Sequence, residues 1–194
     1  EIMPSLVGSE MCIRDRDQSI NDVIQLRKAI KITPYPVHVL EVGESFETDN
    51  VKIDILRVVN KNIKEDFVNN LSVVFRVTEE FAEGGNFKMI FLGDLGVRGG
   101  DELLSACMPD LSALKADAVQ MAHHGQNGVE FPVYEAISPR YAFWPTPDWL
   151  WTNTPGGWEP GTGPWKTLEV RAWMEKLGAE PINSMKEHAV FYTK

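Results

Sequence analysis

The segment "FKMIFLGDLG" (residues 87–96) decides how the rest of the chain is interpreted. It starts as an apolar run, typical of a strand buried on both faces, and ends in glycine, aspartate, leucine and glycine. Functional groups collect where strands end, because loops converge there. Asp94 is therefore a candidate metal-binding or catalytic carboxylate, although an aspartate that caps the turn after a strand fits the same pattern.

A second segment, "DAVQMAHHGQNG" (residues 117–128), repeats this layout with two histidines after a short apolar strand. Neutral imidazole is the commonest metal ligand in proteins. Successive side chains of a strand point to opposite faces, so only one of His123 and His124 should reach a given metal unless the backbone has already turned. Two surface histidines, or two hydrogen-bonded core histidines, fit the pair equally well.

Alternating and helical patterns outline the elements around these two segments. A helix is predicted over residues 19–30, followed by strands "VHVLEVGESF" (37–46) and "NVKIDILRVV" (50–59) joined by a turn. "LSVVFRVT" (71–78) and "FKMIFLGD" (87–94) form a second strand pair. The first half of the chain is therefore predicted to be antiparallel.

Helices and strands alternate in the second half. "DELLSACMPDLSALKA" (101–116), interrupted at Pro109, "FPVYEAI" (131–137) and residues 165–177 are predicted helices, while "DAVQM" (117–121), "RYAFW" (140–144) and "HAVFYT" (188–193) are predicted strands. The fold class is therefore α+β, a layered α/β arrangement in which helices cover sheets.

Residues 145–164 have no period and many prolines and glycines, which is typical of a long ordered loop or lid. Tryptophans cluster in and beside it. Trp149 and Trp151 are candidate substrate-binding residues, because their rings could wall a pocket by stacking. The alternative is that these rings anchor the loop to the core.

Four ordered segments together resemble the C-terminal half of the metallo-β-lactamase superfamily, in particular the bacterial hydrolases related to the ComEC metallo-hydrolase domain. They are "NNLSVVFRV" (69–77), "MIFLGDLG" (89–96), "LKADAVQMAHHG" (114–125) and "ISPRYAFW" (137–144). The resemblance implies an αββα sandwich that holds one or two metal ions, usually zinc. It puts Asp94 at the metal-bridging aspartate and His124 at the last histidine ligand, with His123 a less favoured ligand or a substrate contact.

The chain departs from that family at its main signature. His-x-His-x-Asp-His, which supplies most of the ligands, is absent, and His38 has no partner of that pattern. The resemblance therefore implies only the C-terminal part of the domain, with an incomplete metal site.

Residues 1–16, "EIMPSLVGSEMCIRDR", resemble the translated read-through of a sequencing adapter at the front of a metagenomic reading frame. We expect an artefactual or disordered leader there and a partial hydrolase domain over residues 17–194, with upstream residues of the parent protein missing.

The composition limits the classes of partner. A net charge of −9 disfavours a general nucleic-acid surface, and no apolar run is long enough for a membrane span. Two cysteines make neither a disulfide framework nor a zinc knuckle.

The expected function is hydrolysis of an ester, phosphodiester or amide by metal-activated water, on a small-molecule or phosphodiester substrate. The alternative is a non-catalytic binding module whose recognition surface is the Trp-rich loop, residues 144–165.

Overall fold

The computed structural model describes residues 38–184 and, before them, Ile24, Gln25, Lys28 and Lys31. The first three of these four isolated positions fall in the helix predicted over residues 19–30, and all four are helical. The rest of that helix, the leader at residues 1–16 and the strand predicted at residues 188–193 lie outside the described residues.

Seven strands form one mixed sheet in which the spatial order is the chain order. They are β1 (Ser45–Thr48), β2 (Val51–Arg57), β3 (Val74–Glu80), β4 (Asn86–Phe91), β5 (Ala118–Gln120), β6 (Tyr141–Trp144) and β7 (Glu180–Asn183). Neighbours from β1 to β4 are antiparallel, and neighbours from β4 to β7 are parallel. The predicted change from an antiparallel to an alternating half is confirmed, and β4 is the strand at which it occurs.

Four α-helices connect the parallel strands: α1 (Val97–Cys107), α2 (Phe131–Ile137), α3 (Asp148–Trp151) and α4 (Thr167–Leu177). Short 3-10 segments lie at Asn69–Leu71, Leu111–Leu114 and Ala122–Gly125. Within the part of the chain that the structure describes, no helix has both the length and the apolar character that crossing a bilayer demands.

The helices lie on one face of the sheet. Parallel strands joined by right-handed crossovers in one continuous direction place every connection on the same side. Ile90, Val119 and Ala142, on β4, β5 and β6, point to that side and have no exposed surface. They share one apolar core with Leu103 of α1, together with residues of α2 and α4.

The opposite face of the sheet is less covered. Met89 and Phe91 on β4 are only half-buried, and Phe91 stacks on Phe75 of β3 with ring centroids 4.9 Å apart. The prediction that this strand is buried on both faces is therefore wrong. The mixed α/β class is confirmed, but residues 38–184 contain one sheet with one helical layer, so the second sheet of an αββα sandwich is not among the described residues.

Several element boundaries differ from the predicted ones. The strand expected over residues 37–46 is present only as β1, Ser45–Thr48. The helix expected from residue 101 is α1, which starts at Val97 because the turn after Asp94 leads directly into it. The loop at residues 145–164 contains α3. Asn153 closes this loop by donating from Nδ2 to the carbonyl oxygens of Gly163 (2.9 Å) and Trp165 (3.1 Å). β7 was not predicted.

A buried arginine ties the antiparallel half to the helical layer. The Arg57 guanidinium, on β2, donates to Glu102 of α1 at 2.9 Å and to the carbonyl oxygens of Ser72 (2.8 Å) and Asn70 (3.1 Å). Its side chain is only 4 % exposed. Removing it would leave the Ser72 and Asn70 carbonyl oxygens without this donor, and Glu102, which also accepts from Asn60 and is one-third exposed, would lose its ion pair.

We expect Arg57→Ala to lower the free energy of unfolding by about 3 kcal/mol, because it removes a buried guanidinium together with its ion pair and its hydrogen bonds to two backbone carbonyl oxygens. Urea denaturation measures this loss. The matched control is Arg98→Ala, whose ion pair with Glu65 (3.4 Å) has an arginine side chain that is 61 % exposed. That variant should lose less than about 0.5 kcal/mol. Equal losses in the two variants would contradict the structural role given to Arg57.

Candidate metal site

The carboxyl ends of β4, β5 and β6 meet at one edge of the sheet, because these neighbouring strands are parallel. Asp94 follows β4, His123 and His124 follow β5, and Pro145 follows β6. Ligand sites in sheets of this kind form outside the carboxyl ends of the strands. The edge therefore gathers the candidate residues from segments far apart in the sequence.

Two polar side chains hold the loop that carries Asp94. The Gln120 side chain, on β5, accepts the N–H groups of Leu92 (3.1 Å) and Gly93 (2.8 Å) through Oε1. The N–H of Asp94 donates to Oγ of Ser72 at 3.0 Å. The backbone is thus fixed on both sides, while the Asp94 carboxylate stays 44 % exposed.

The ring of His124 is oriented by the chain after β6. Its Nδ1 lies 2.9 Å from the carbonyl oxygen of Pro145. A carbonyl oxygen only accepts, so Nδ1 carries the proton and Nε2 of the neutral ring keeps its lone pair. Thr146, which has no exposed surface, donates from Oγ1 to the His124 carbonyl oxygen at 2.6 Å. One segment therefore holds both the ring and the backbone of this histidine.

The lone pair of His124 lies near the Asp94 carboxylate. Nε2 is 3.7 Å from Oδ1 of Asp94, which is too long for a hydrogen bond. Two ligands on a tetrahedral zinc ion, with metal–ligand distances of about 2.0–2.1 Å, are about 3.3–3.5 Å apart. The pair therefore fits two neighbouring ligands of one ion better than it fits a direct hydrogen bond.

His123 and His124 both adopt left-handed backbone conformations, with φ of 49° and 59°. This conformation is uncommon for residues other than glycine, and two in succession turn the chain out of the strand. The His123 N–H donates to the Gly93 carbonyl oxygen at 2.9 Å, and its Nδ1 is buried without a hydrogen-bond partner among the described residues. Strand alternation thus no longer decides which ring reaches a metal, because the backbone has already turned.

Tyr134 of α2 supports this turn from below. It is almost fully buried, and its hydroxyl oxygen accepts the N–H of Ala122 at 3.2 Å. Burial raises the pKa of the Tyr134 phenol well above its usual range. The hydroxyl therefore stays neutral and acts as a structural acceptor beneath the two histidines.

The rings of Trp149 and Trp151 pack on other aromatic rings and on one arginine. Trp149 packs on Trp165, with centroids 5.0 Å apart, and Trp151 meets Trp144 edge-on at 5.2 Å. Arg171 stacks over Trp151 at 4.2 Å. These contacts anchor the loop, and a part for Trp149 and Trp151 in substrate binding stays a prediction.

The donor set around Asp94 and His124 is small. Residues 38–184 and the four helical positions before them contain no group of three or more His, Cys, Asp or Glu side chains placed to hold a metal ion. His123 lies beside the pair, with its ring centroid 6.2 Å from that of His124. The residues present thus fit one side of a metal site.

Sequence reasoning did not find the residues that position this site. Ser72, Gln120 and Thr146 belong to no recognisable motif. Gln120 is one polar residue inside the predicted strand "DAVQM". That polar residue at a strand end is the one signal that could have indicated a backbone contact. The other two are recognisable only from their distance to Asp94 and His124.

We expect Gly125→Ala to destabilise the protein and disturb the site. Gly125 has φ +77°, and a Cβ there would clash with Cζ3 and Cε3 of Trp144. The cost combines left-handed strain with overpacking, about 3 kcal/mol or more. The control is Gly178→Ala, which has φ +71° and no atom within 4 Å of the added Cβ. It should cost only about 1–2 kcal/mol. Thermal unfolding that gives equal losses would contradict the close packing of Gly125 on Trp144.

Comparison with protein-family models, with curated proteins and with solved structures finds no match for this chain in any of the three. The resemblance to the metallo-β-lactamase superfamily therefore stays a prediction from sequence.

Proposed function

We propose that this chain forms the C-terminal part of a metal-dependent hydrolase domain of the metallo-β-lactamase type, with zinc as the expected metal. The observation that carries the proposal is the His124 ring. Its Nδ1–H is bound to the Pro145 carbonyl oxygen, which leaves Nε2 as a lone pair 3.7 Å from the Asp94 carboxylate. Metal-binding histidines in proteins are oriented in this way by a hydrogen bond at the other ring nitrogen.

Each residue of the site has a definite part in this proposal. Asp94 and His124 supply an oxygen and a nitrogen donor, and the exposed side of both faces solvent, where a substrate can approach. His123, beside His124, would contact a substrate or serve as a further ligand. A divalent metal bound there would act as a Lewis acid that activates water for attack on an ester, phosphodiester or amide.

The site needs donors beyond these two or three. Catalytic zinc sites use three protein ligands and keep one position open. Asp94 and His124 supply two, so the others would come from residues that the structure does not describe or from another part of the parent protein. In the resembled family they come from His-x-His-x-Asp-His. We therefore propose that this chain alone has little or no hydrolase activity.

We propose a small molecule or a phosphodiester as the substrate. The net charge of −9 favours a small molecule or a single phosphodiester over a long nucleic acid, because nucleic-acid binding depends on a basic surface. A metal would supply positive charge locally for an anionic group within an acidic protein.

The alternative is a non-catalytic binding module. The observation in its favour is a groove beside Trp151, in the Trp-rich region of residues 144–165. The coding sequence upstream of this chain separates the two proposals. A His-x-His-x-Asp-His signature there would support the enzyme, and a full-length gene without it would support the binding module.

We expect the chain to bind zinc weakly, and Asp94→Asn and His124→Ala each to weaken that binding more than tenfold, because each removes one of two converging donors. Isothermal titration with zinc measures this. His38→Ala is the control, since His38 pairs with Glu44 (2.8 Å) on the hairpin side of the molecule. Binding unchanged in all three variants would contradict the site. Tight one-to-one binding with hydrolysis by the chain alone would contradict the proposed incompleteness.

We expect Thr146→Val to weaken zinc binding about tenfold, the scale of effect seen when a group that orients a ligand is lost. Valine keeps the shape of threonine but cannot donate to the His124 carbonyl oxygen. Thr146→Ser keeps the hydroxyl and should bind zinc as the unaltered protein does. The same titration measures both variants. If the valine and serine variants bind zinc with the same affinity, the Thr146 hydroxyl does not position His124.

A further inference from the structure

A concave surface lies on the helical side of the sheet, and neither Asp94 nor His124 lines it. It is a groove of about 520 Å³ between α4 and the start of β7, with Trp144 and Trp151 at its base. This volume falls within the range of about 300–1,000 Å³ that is typical of small-molecule sites. Most of its walls are apolar, including Leu168, Met174 and Pro181.

Arg171 provides a positioned cation in this groove. Its guanidinium stacks over the Trp151 ring at 4.2 Å, and Nη1 donates to the Trp151 carbonyl oxygen at 3.3 Å. The other N–H groups of Arg171 have no partner among the described residues. A stacked guanidinium is held in one plane, so less freedom is lost when these N–H groups bind a carboxylate.

Glu175 provides an anion on the same wall. It lies one helical turn after Arg171, and residues four apart share a face of a helix. No ion pair within 4.0 Å joins it to Arg171 or to any other residue that the structure describes. Two opposite charges therefore line one groove without neutralising each other.

We propose that this groove binds a small zwitterion with an apolar or aromatic side chain, the chemistry of a free amino acid. The ligand carboxylate pairs with the free N–H groups of Arg171, and its ammonium group pairs with Glu175. Its side chain lies on the apolar wall next to Trp151. Arginine matches a carboxylate with two parallel hydrogen bonds, which makes this half of the site the more selective. The proposal does not depend on the metal site.

The test uses the full chain with L-phenylalanine as the probe, followed by the indole N–H signals of ¹⁵N-labelled tryptophan in NMR titrations. Trp151→Phe assigns the Trp151 signal. We expect saturable shifts of Trp151 with L-phenylalanine. 3-Phenylpropionate lacks the ammonium group, and 2-phenylethylamine lacks the carboxylate. Each should bind at least about tenfold more weakly than L-phenylalanine, because each loses one charged contact.

Two charge-removing variants divide the site. Arg171→Gln should weaken the binding of phenylalanine about tenfold and leave the binding of 2-phenylethylamine unchanged. Glu175→Gln should weaken the binding of phenylalanine and leave the binding of 3-phenylpropionate unchanged. The controls are Arg140→Gln, which removes an arginine stacked on Tyr141 at 4.9 Å outside the groove, and Glu169→Gln, on α4 outside the groove lining. Neither should alter binding.

Three results would overturn the proposal. They are no saturable shift with L-phenylalanine at millimolar concentration, equal binding of all three probes, or phenylalanine binding unchanged in Arg171→Gln. Urea denaturation of each variant checks that the fold is retained. A failure here leaves zinc binding at Asp94 and His124 unaffected, so the two proposals are tested independently.

Discussion

The contact on which the candidate site depends is the Gln120 side chain bridging β4 and β5. The backbone ladder between these strands ends at Phe91 and Gln120. Beyond it, the Gln120 amide accepts two N–H groups from the β4 chain and continues the pairing with side-chain atoms. Together with the His123 N–H, which donates to the Gly93 carbonyl oxygen at 2.9 Å, this bridge holds the loop with Asp94 against the turn with the histidines.

The rest of the site is built on this shared edge by long-range backbone contacts. Ser72, from the antiparallel half, receives the Asp94 N–H, and its own carbonyl oxygen is held by Arg57. Pro145 and Thr146, from the loop after β6, hold the ring and the carbonyl oxygen of His124. The Asp94 backbone and the His124 ring are thus held by residues from two different strand connections, β2–β3 and β6–β7. This is the precision that metal ligands require, since a hydrogen bond at one imidazole nitrogen sets the direction of the other.

Local patterns in the sequence predicted much of the fold. The helix at Phe131–Ile137 is confirmed residue for residue, because its proline lies in the first turn, where a missing N–H costs little. The strand pair β3–β4 is also confirmed, and the predicted first pair is present with its first strand shifted to β1. The predicted burial of β4 on both faces is wrong because an apolar run is compatible with one buried and one half-buried face. β7 was missed because "EPIN" has neither alternation nor an apolar run, and only pairing with β6 makes it a strand.

The sequence by itself determined where the candidate donors stand. An aspartate after an apolar strand and a glycine, and two histidines after the next such strand, place Asp94, His123 and His124 at one edge, because parallel strands bring their carboxyl ends together. Only the tertiary structure decided which histidine faces Asp94. Strand alternation allowed either one, but two successive left-handed residues turn the chain, and Pro145 and Thr146, more than twenty residues away in the sequence, orient His124. Contacts of that separation leave no local pattern, so only the folded chain shows them.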